Sequence, residues 1–211
     1  MKIAKFFAGI FAALGAVLMV GAIGLSLMSL DAPARVGKVP EAVTNLSQTL
    51  MDAVSGGDFA SAGALMYGQP DLGAGQGSTD AVETMLWEAF TDSIQYEFTG
   101  ACYVTETGFA RDASITTLDI ATAADAIAEQ ARALLTQRVE NAQEMEELYD
   151  EENNFREELI QEVLLEGARQ ALQEHGQTVT TQVTLHFLYR DGQWWAVPDQ
   201  ALLKAISGGV A

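Results

Sequence analysis

Few side chains in this sequence belong to the types that perform acid–base, nucleophilic or metal chemistry. The 211 residues contain two histidines, His175 and His186, and a single cysteine, Cys102. A zinc site needs roughly three or four such ligands at short spacing, whereas these residues lie far apart along the chain. No serine stands in the glycine-flanked turn that presents a hydrolase nucleophile. We therefore predict no catalytic residue, no metal site and no cofactor.

His186 comes closest to the chemistry of an acid–base catalyst. It lies in a run in which Val183, Leu185 and Phe187 alternate with polar residues. Alternate residues of a strand point to opposite faces of a sheet. His186 therefore shares the polar face with Gln182, and we predict that it is a candidate interface residue rather than a catalyst.

The most concentrated charge on the chain is acidic. Between Glu140 and Glu166 there are eleven carboxylates and one basic residue, Arg156. Their spacing does not follow an EF-hand calcium loop, and a solvated helix face is the simpler interpretation. An oligomerisation or cation-sensing role for this acidic section is an alternative hypothesis.

The charge of the whole chain argues against nucleic acid as a partner. All 29 Asp and Glu lie beyond residue 30, together with nine of the 11 Lys and Arg. Such a body repels phosphate backbones and anionic lipid head groups. Other proteins, small ligands and cations are the classes of partner that this charge leaves open.

Four aromatic residues are candidates for a ligand pocket: Tyr96, Tyr189, Trp194 and Trp195. Aromatic side chains line many binding sites, and they also fill many cores. Adjacent strand residues point to opposite faces, so Trp194 and Trp195 cannot both enter one core. One of the two is therefore expected to mark a partner surface.

An apolar stretch at the N-terminus is the first element of the chain, and its length would allow it to anchor the rest of the chain in a membrane. From Phe6 to Leu30 no residue is charged. A helix of this length spans roughly 37 Å, which exceeds a hydrocarbon core of about 30 Å. A cleaved signal peptide usually has an apolar region of only about 7–15 residues. We therefore predict a retained transmembrane anchor over residues 1–30, held in membrane lipid.

The orientation of this anchor follows from the charges beside it. Lys2 and Lys5 form a short basic tail, which favours a cytoplasmic N-terminus and a domain outside the cytoplasm. The expected location is the cell membrane, as a single-pass protein. Because Ala32-Pro33-Ala34 fits a signal-peptidase site, a secreted product cleaved near Ala34 is the alternative.

A short linker and three helices are predicted after the anchor. Residues 31–40 contain two prolines and a glycine, which is typical of a linker. A single domain is expected over residues 41–207, with a tail at residues 208–211. Its first helix runs from Glu41 to Ser55, and Asp58 and Asp80 can cap the next two.

Two hairpins and a long helical section complete the predicted domain. A period of two indicates one hairpin from Tyr96 to Ile120 and another from Val183 to Val197. Between them, Ala121 to Glu174 is helical in character, either as one helix or as two that break at Asn153-Asn154. Asp119 is expected to cap this section. The predicted class is α+β, with a curved antiparallel sheet wrapped on helices.

This order of elements resembles the nuclear-transport-factor-two-like superfamily, whose curved sheet wraps around its helices to form a cone. Three stretches carry the resemblance: Gly57-Asp58-Phe59-Ala60-Ser61-Ala62, Ala113-Ser114-Ile115-Thr116-Thr117-Leu118-Asp119 and Tyr189-Arg190-Asp191-Gly192-Gln193-Trp194-Trp195. They look like versions seen in membrane-anchored or lipoprotein members from Gram-positive gut bacteria. The resemblance extends over the chain from Glu41 to Pro198.

The resemblance implies either binding or chemistry on small molecules, and fold alone does not choose between them. We expect a membrane-anchored extracytoplasmic domain that binds a ligand or an envelope protein without catalysis. A homodimer through the outer sheet face is a second form of such binding. The alternative is an isomerase, cyclase or dehydratase whose cone cavity contains a carboxylate or imidazole with a shifted pKa.

Overall fold

The structure, a computed structural model, describes residues 38–72, 80–150 and 152–208. Within these ranges no helix has both the length and the hydropathy that crossing a bilayer requires. The predicted anchor over residues 1–30 and most of the predicted linker lie outside the described residues. The membrane span therefore stays a prediction.

Three helices precede the sheet, where the periodicity predicts them. They are α1 (Glu41–Ser55), α2 (Phe59–Ala64) and α3 (Ala81–Ser93). α1 buries Val43 and Leu50, and the chain leaves it through Gly57, whose φ of 71° suits a residue without a Cβ. The carboxylates of Asp58 and Asp80 accept hydrogen bonds from the first backbone N–H groups of α2 and α3, so both predicted caps are confirmed.

Five strands form the sheet: β1 (Gln95–Phe98), β2 (Tyr103–Val104), β3 (Phe109–Leu118), β4 (Thr178–Arg190) and β5 (Gln193–Ala196). The sheet is curved, open and antiparallel, in the order β1–β3–β4–β5 with β2 also beside β3. Both predicted hairpins are present. The first strand is interrupted at residues 99–102, so β1 and β2 pair separately with β3. Gly100 lies in this interruption. A glycine within a strand run often marks a bulge or a bend.

The section between the hairpins forms two helices, α4 (Ile120–Asn141) and α5 (Glu157–His175). The two-helix alternative is therefore confirmed. The break is wider than the predicted Asn153-Asn154, because it covers residues 142–156 and includes a 3-10 turn at Met145–Glu147. Asn153 has a left-handed φ of 66°, a conformation that asparagine tolerates better than most residues.

α4 and α5 pack as an antiparallel pair with a very close contact near the middle. A Cβ on Gly167 would lie 2.8 Å from the backbone nitrogen of Ala131, which is closer than packed side chains allow. At the start of α4, Asp119 accepts a hydrogen bond from the backbone N–H of Thr122 at 3.0 Å. The predicted cap is therefore confirmed.

A short final helix, α6 (Gln200–Ile206), packs on β3 and β4 and is capped by Asp199. Beyond it, Ser207 and Gly208 are still buried, and Gly208 lies against Ile120 and the carbonyl of Leu118. The described chain is thus packed on the domain as far as residue 208.

The two faces of the sheet differ in burial. The inner face, which the helices cover, carries the buried residues Ala113, Ile115, Val183, Leu185 and Phe187. On the outer face Ser114, Thr116, Thr180, Gln182, Thr184 and His186 are exposed or half-buried, whereas Ala110 and Leu188, near one end of that face, are buried. An antiparallel sheet with one packed and one solvated face has this alternation. The α+β class and the curved sheet packed on helices are confirmed.

Candidate functional site

Apolar side chains are packed along most of the inner side of the sheet, where the resemblance places a cavity. Phe90, Phe187, Leu50, Ile115 and Leu185 are at most 2% exposed. Among the described residues the buried polar side chains belong to serine and threonine, namely Ser47, Thr117 and Ser207. Acid–base chemistry in a cone requires a carboxylate or imidazole in apolar surroundings. Among the described residues, no carboxylate or imidazole belongs to the buried side chains of the inner face.

Tyr96, a predicted pocket residue, lies at the contact between β1 and α1. Its hydroxyl donates a hydrogen bond to the carboxylate of Asp52 and accepts one from the amide of Gln48. Burial, and then the bond to Asp52, raise the pKa of Tyr96 to about 12. The three side chains tie the first helix to the edge of the sheet.

Arg111 is a charged residue of the inner face that the sequence analysis did not single out. It is half-buried on the inner face, and its guanidinium carbon lies 3.4 Å from the ring centroid of Phe98. One of its terminal nitrogens donates to the hydroxyl of Ser47 at 2.8 Å, and Nε donates to the carbonyl of Gly100 at 3.3 Å. These contacts fasten α1 to the sheet. The alternation that buries Ala113 also indicates that Arg111 faces inward.

Tyr189 and Trp194, two further predicted pocket residues, lie together at one end of the inner face. They are opposite each other on β4 and β5, with ring centroids 5.1 Å apart. Trp194 also meets Phe109 nearly edge-on at 5.2 Å. Val104 is opposite Phe109 in the ladder and is 52% exposed, and Tyr189 is 41% exposed. We call Val104, Phe109, Tyr189 and Trp194 the apolar end.

Trp195 lies on the outer face, opposite to the face of Trp194. Its ring meets that of Tyr67 at 6.4 Å, and its Nε1 donates to the carbonyl of Arg190 at 3.2 Å. The guanidinium of Arg190 in turn lies 5.3 Å from the centroid of Tyr67. The two tryptophan side chains therefore lie on opposite faces of the sheet, as the alternation along the strand predicts.

His186 is exposed on the outer face, beside a row of polar contacts. In this row Asp112 accepts hydrogen bonds from the hydroxyl of Thr184 at 2.7 Å and from that of Tyr103 at 3.1 Å. Burial, and then the bond to Asp112, raise the pKa of Tyr103 above its ordinary value. The outer face thus presents donors and acceptors at strand spacing, with aromatic rings at Tyr103 and Trp195.

An open groove of about 470 Å³ lies between α4 and α5. The charged residues that line it form two exposed ion pairs, Arg138 with Glu162 and Arg169 with Glu166. Pairs of this kind contribute about 0–1 kcal/mol and impose little geometry. Within the described ranges no group of three or more His, Cys, Asp or Glu is placed to hold a metal ion. No described group of ligands thus favours the cation-sensing hypothesis.

Comparison of the chain with protein-family models, with curated proteins and with solved structures finds no match in any of the three. The resemblance to the nuclear-transport-factor-two-like superfamily therefore stays a prediction. It depends on the order of the elements and on the three sequence stretches quoted for it.

Proposed function

We propose that this protein is a membrane-anchored, extracytoplasmic domain that binds another protein of the cell envelope through the outer face of its sheet. The observation that carries this proposal is the contrast between the two faces of the sheet. Most of the inner face is packed with buried apolar side chains, and the outer face exposes polar side chains along β3 and β4. Recognition by such a domain takes place on its surface rather than in a cavity.

The membrane anchor in this proposal is supported by the sequence. The stretch from Phe6 to Leu30 contains no charge, and the basic residues before it favour a cytoplasmic N-terminus. The acidic domain then lies outside the cytoplasm as part of a single-pass protein of the cell membrane. A domain in that position meets its partners at or near the membrane surface.

Membership of the nuclear-transport-factor-two-like superfamily belongs to the same proposal. Its support is the order of three helices, a hairpin, a helical section and a second hairpin, together with the curvature of the sheet. In that superfamily the outer sheet face forms dimers in many members. A second copy of this chain is therefore an alternative partner for the outer face.

The chemistry of the outer face suits a protein partner. Thr116 and Thr180 share a hydrogen bond of 2.8 Å across the face, and Gln182 and His186 are exposed further along β4. Protein interfaces combine such polar groups with aromatic anchors, which Trp195 supplies here. A polar, hydrogen-bonding sheet face of this kind fits another folded surface better than it fits an apolar small molecule.

Sedimentation velocity of the full-length chain, extracted from its own membrane in mild detergent, tests the proposal. Replacing Gln182 and His186 together by Arg adds two positive charges to the outer face and leaves the inner face unchanged. Unpaired charge inside an interface typically weakens binding by about tenfold or more. We expect the double variant to sediment as a smaller species than the wild-type chain.

The matched control is Glu129→Arg, which adds the same two units of positive charge at an exposed position of α4. We expect this variant to sediment with the wild-type complex. An outer-face double variant that also sediments with the wild-type complex would contradict the proposal. The mass of the wild-type complex separates a homodimer from a complex with a different protein.

A further inference from the structure

The large apolar side chains that are most exposed in the described ranges are Tyr103, Val104, Val139 and Tyr189. All of them except Val139 lie at one end of the sheet, because β2 pairs with the first residues of β3, and these pair with the last part of β4. Scattered apolar side chains on a surface need no explanation, but a cluster at one place marks a contact. The apolar end, with its aromatic contacts of 5.1 and 5.2 Å, is the core of this cluster.

The first helix enters the domain at the same end of the sheet. Asp52, late in α1, contacts Tyr96 on the edge strand β1, which pairs with residues 113–116 of β3, away from the apolar end. Thr44, two turns earlier, has its hydroxyl 3.8 Å from the sulfur of Cys102, which directly precedes β2. The N-terminus of α1 therefore points toward the apolar end, and the chain reaches the domain there, at Pro40.

The chain before this point brings the apolar end near the predicted anchor. The uncharged stretch ends at Leu30, ten residues before Pro40. Ten extended residues span at most about 35 Å, and a linker that is not fully extended spans much less. With the anchor in a bilayer, the end of the sheet that lies closest to the linker is the end that carries the exposed aromatic rings.

We propose that the apolar end rests on the surface of the bilayer, with Val104, Tyr189 and Trp194 among zwitterionic lipid head groups. This inference depends on the membrane anchor of the proposed function and adds the lipid surface as a second partner. Tyrosine and tryptophan favour the interface between membrane and water, where an apolar ring and a polar tip are both satisfied.

The charges around the apolar end identify the kind of lipid. Arg190 follows Tyr189 at the end of β4, and Glu106 and Asp191 belong to the two hairpin turns at this end of the sheet. Charges of both signs suit neutral zwitterionic head groups, whereas the acidic body as a whole repels anionic ones. In this orientation the strands point away from the membrane, and the outer face stays free for the protein partner.

Quenching of tryptophan fluorescence by brominated phosphatidylcholine tests this orientation. The full-length chain is placed in phosphatidylcholine vesicles in two forms, each with one surface tryptophan. One form combines Trp87→Phe with Trp195→Phe and retains Trp194, and the other combines Trp87→Phe with Trp194→Phe. Trp87 packs on Phe59 at 5.3 Å, so phenylalanine preserves an aromatic contact there. We expect the brominated lipid to quench Trp194 at least about twofold more than Trp195, since only Trp194 belongs to the apolar end.

Replacing Val104 and Tyr189 together by Glu is expected to reduce the quenching of Trp194 to the level of Trp195. Both side chains are exposed, so circular dichroism should show an unchanged fold. The control is Gln182→Glu on the outer face, which should leave the quenching of Trp194 unchanged.

Two different results would overturn the inference, and flotation of the vesicles distinguishes them. If the chain floats with the vesicles but Trp194 is quenched no more than Trp195, the apolar end does not rest on lipid and the anchor stands. Protection of Trp194 from aqueous acrylamide without quenching by lipid would place a protein surface there instead. If the full-length chain does not float, both the anchor and this inference are wrong.

Discussion

The hydroxyl of Tyr96 bonds to two side chains of α1, Asp52 and Gln48, and so links the helix to the edge of the sheet. Ionisation would place a negative oxygen beside the Asp52 carboxylate in a partly buried position. The pKa of Tyr96 is therefore raised to about 12. The folded chain thus favours the neutral phenol over the phenolate.

The raised pKa of Tyr96 predicts how the stability of the fold depends on pH. The contribution of the Tyr96 phenol to the free energy of unfolding is complete below about pH 10, where a tyrosine in the unfolded chain is still neutral. It is lost as the pH rises toward the pKa of Tyr96 in the folded chain. Tyr96→Phe keeps the ring and removes both hydrogen bonds, so the free energy of unfolding at neutral pH should fall by about 0.5–1.5 kcal/mol.

Urea unfolding of the wild-type chain and of Tyr96→Phe at neutral pH and at about pH 11 measures this effect. The difference in unfolding free energy between the two chains should be smaller at the higher pH. A difference that stays constant between these conditions would show that the phenol ionises equally easily in the folded and unfolded chains.

At the level of single residues, the alternation along a strand predicts which face of the sheet each side chain occupies. Trp194 and Trp195 lie on opposite faces because they are neighbours on β5. The same rule indicates that Arg111 faces inward, although its type alone suggests an exposed residue. The bond between Tyr96 and Asp52 could not be predicted, since it depends on how α1 crosses the sheet.

At the level of elements, the junction between β3 and α4 depends on one carboxylate. Asp119 accepts from the backbone N–H of Thr122 at 3.0 Å and from its hydroxyl at 2.9 Å. Asp119→Ala should lower the free energy of unfolding by about 0.5–2 kcal/mol, because it leaves the first N–H groups of α4 without this acceptor.

Urea unfolding measures the loss, and Asp125→Ala is the matched control because it removes an exposed carboxylate from the same helix. The control should change the stability by less than about 0.5 kcal/mol. Equal effects of the two substitutions would mean that the capping bonds of Asp119 contribute nothing beyond the loss of a charge.

The contact between α4 and α5 requires a glycine. A Cβ at Gly167 would meet the backbone of Ala131 at 2.8 Å, and backbone atoms cannot move aside as a flexible side chain can. Gly167→Ala should therefore lower the free energy of unfolding by roughly 1–3 kcal/mol. Alanine is the better helix former by about 1 kcal/mol, so a stabilised variant would contradict the close contact.

Thermal unfolding of Gly167→Ala measures this loss, with Gln173→Ala at an exposed position of α5 as the control. The control should melt within a few degrees of the wild-type chain, because it only exchanges one good helix former for another.

The elements themselves could largely be predicted, because helix and strand periods are local properties of the sequence. The hairpins and helices are present where these periods change. The interruption at residues 99–102 and the wide break at residues 142–156 were not predicted. Tertiary packing decides both, because the ladder with β3 and the contact between the two helices determine where regular structure ends.

At the level of the whole molecule, composition predicted an apolar segment followed by an acidic domain, and alternation predicted one packed and one solvated sheet face. The filling of the inner face could not be predicted, since the same apolar residues can surround a cavity or close it. The resemblance and the position of His186 suggested the outer face as an interface, but the polar pattern alone does not distinguish it from any solvent-exposed face. Polar residues such as Gln182 and Thr180 have the pattern of any solvated strand.

The most direct test of the central claim is photocrosslinking in intact cells. A benzophenone amino acid replaces Gln182 on the outer face of the full-length chain, and in a second chain it replaces Glu129 on α4. We predict an adduct of one discrete mass from position 182 and none from position 129. No adduct from position 182, or the same adduct from both positions, would contradict recognition through the outer face.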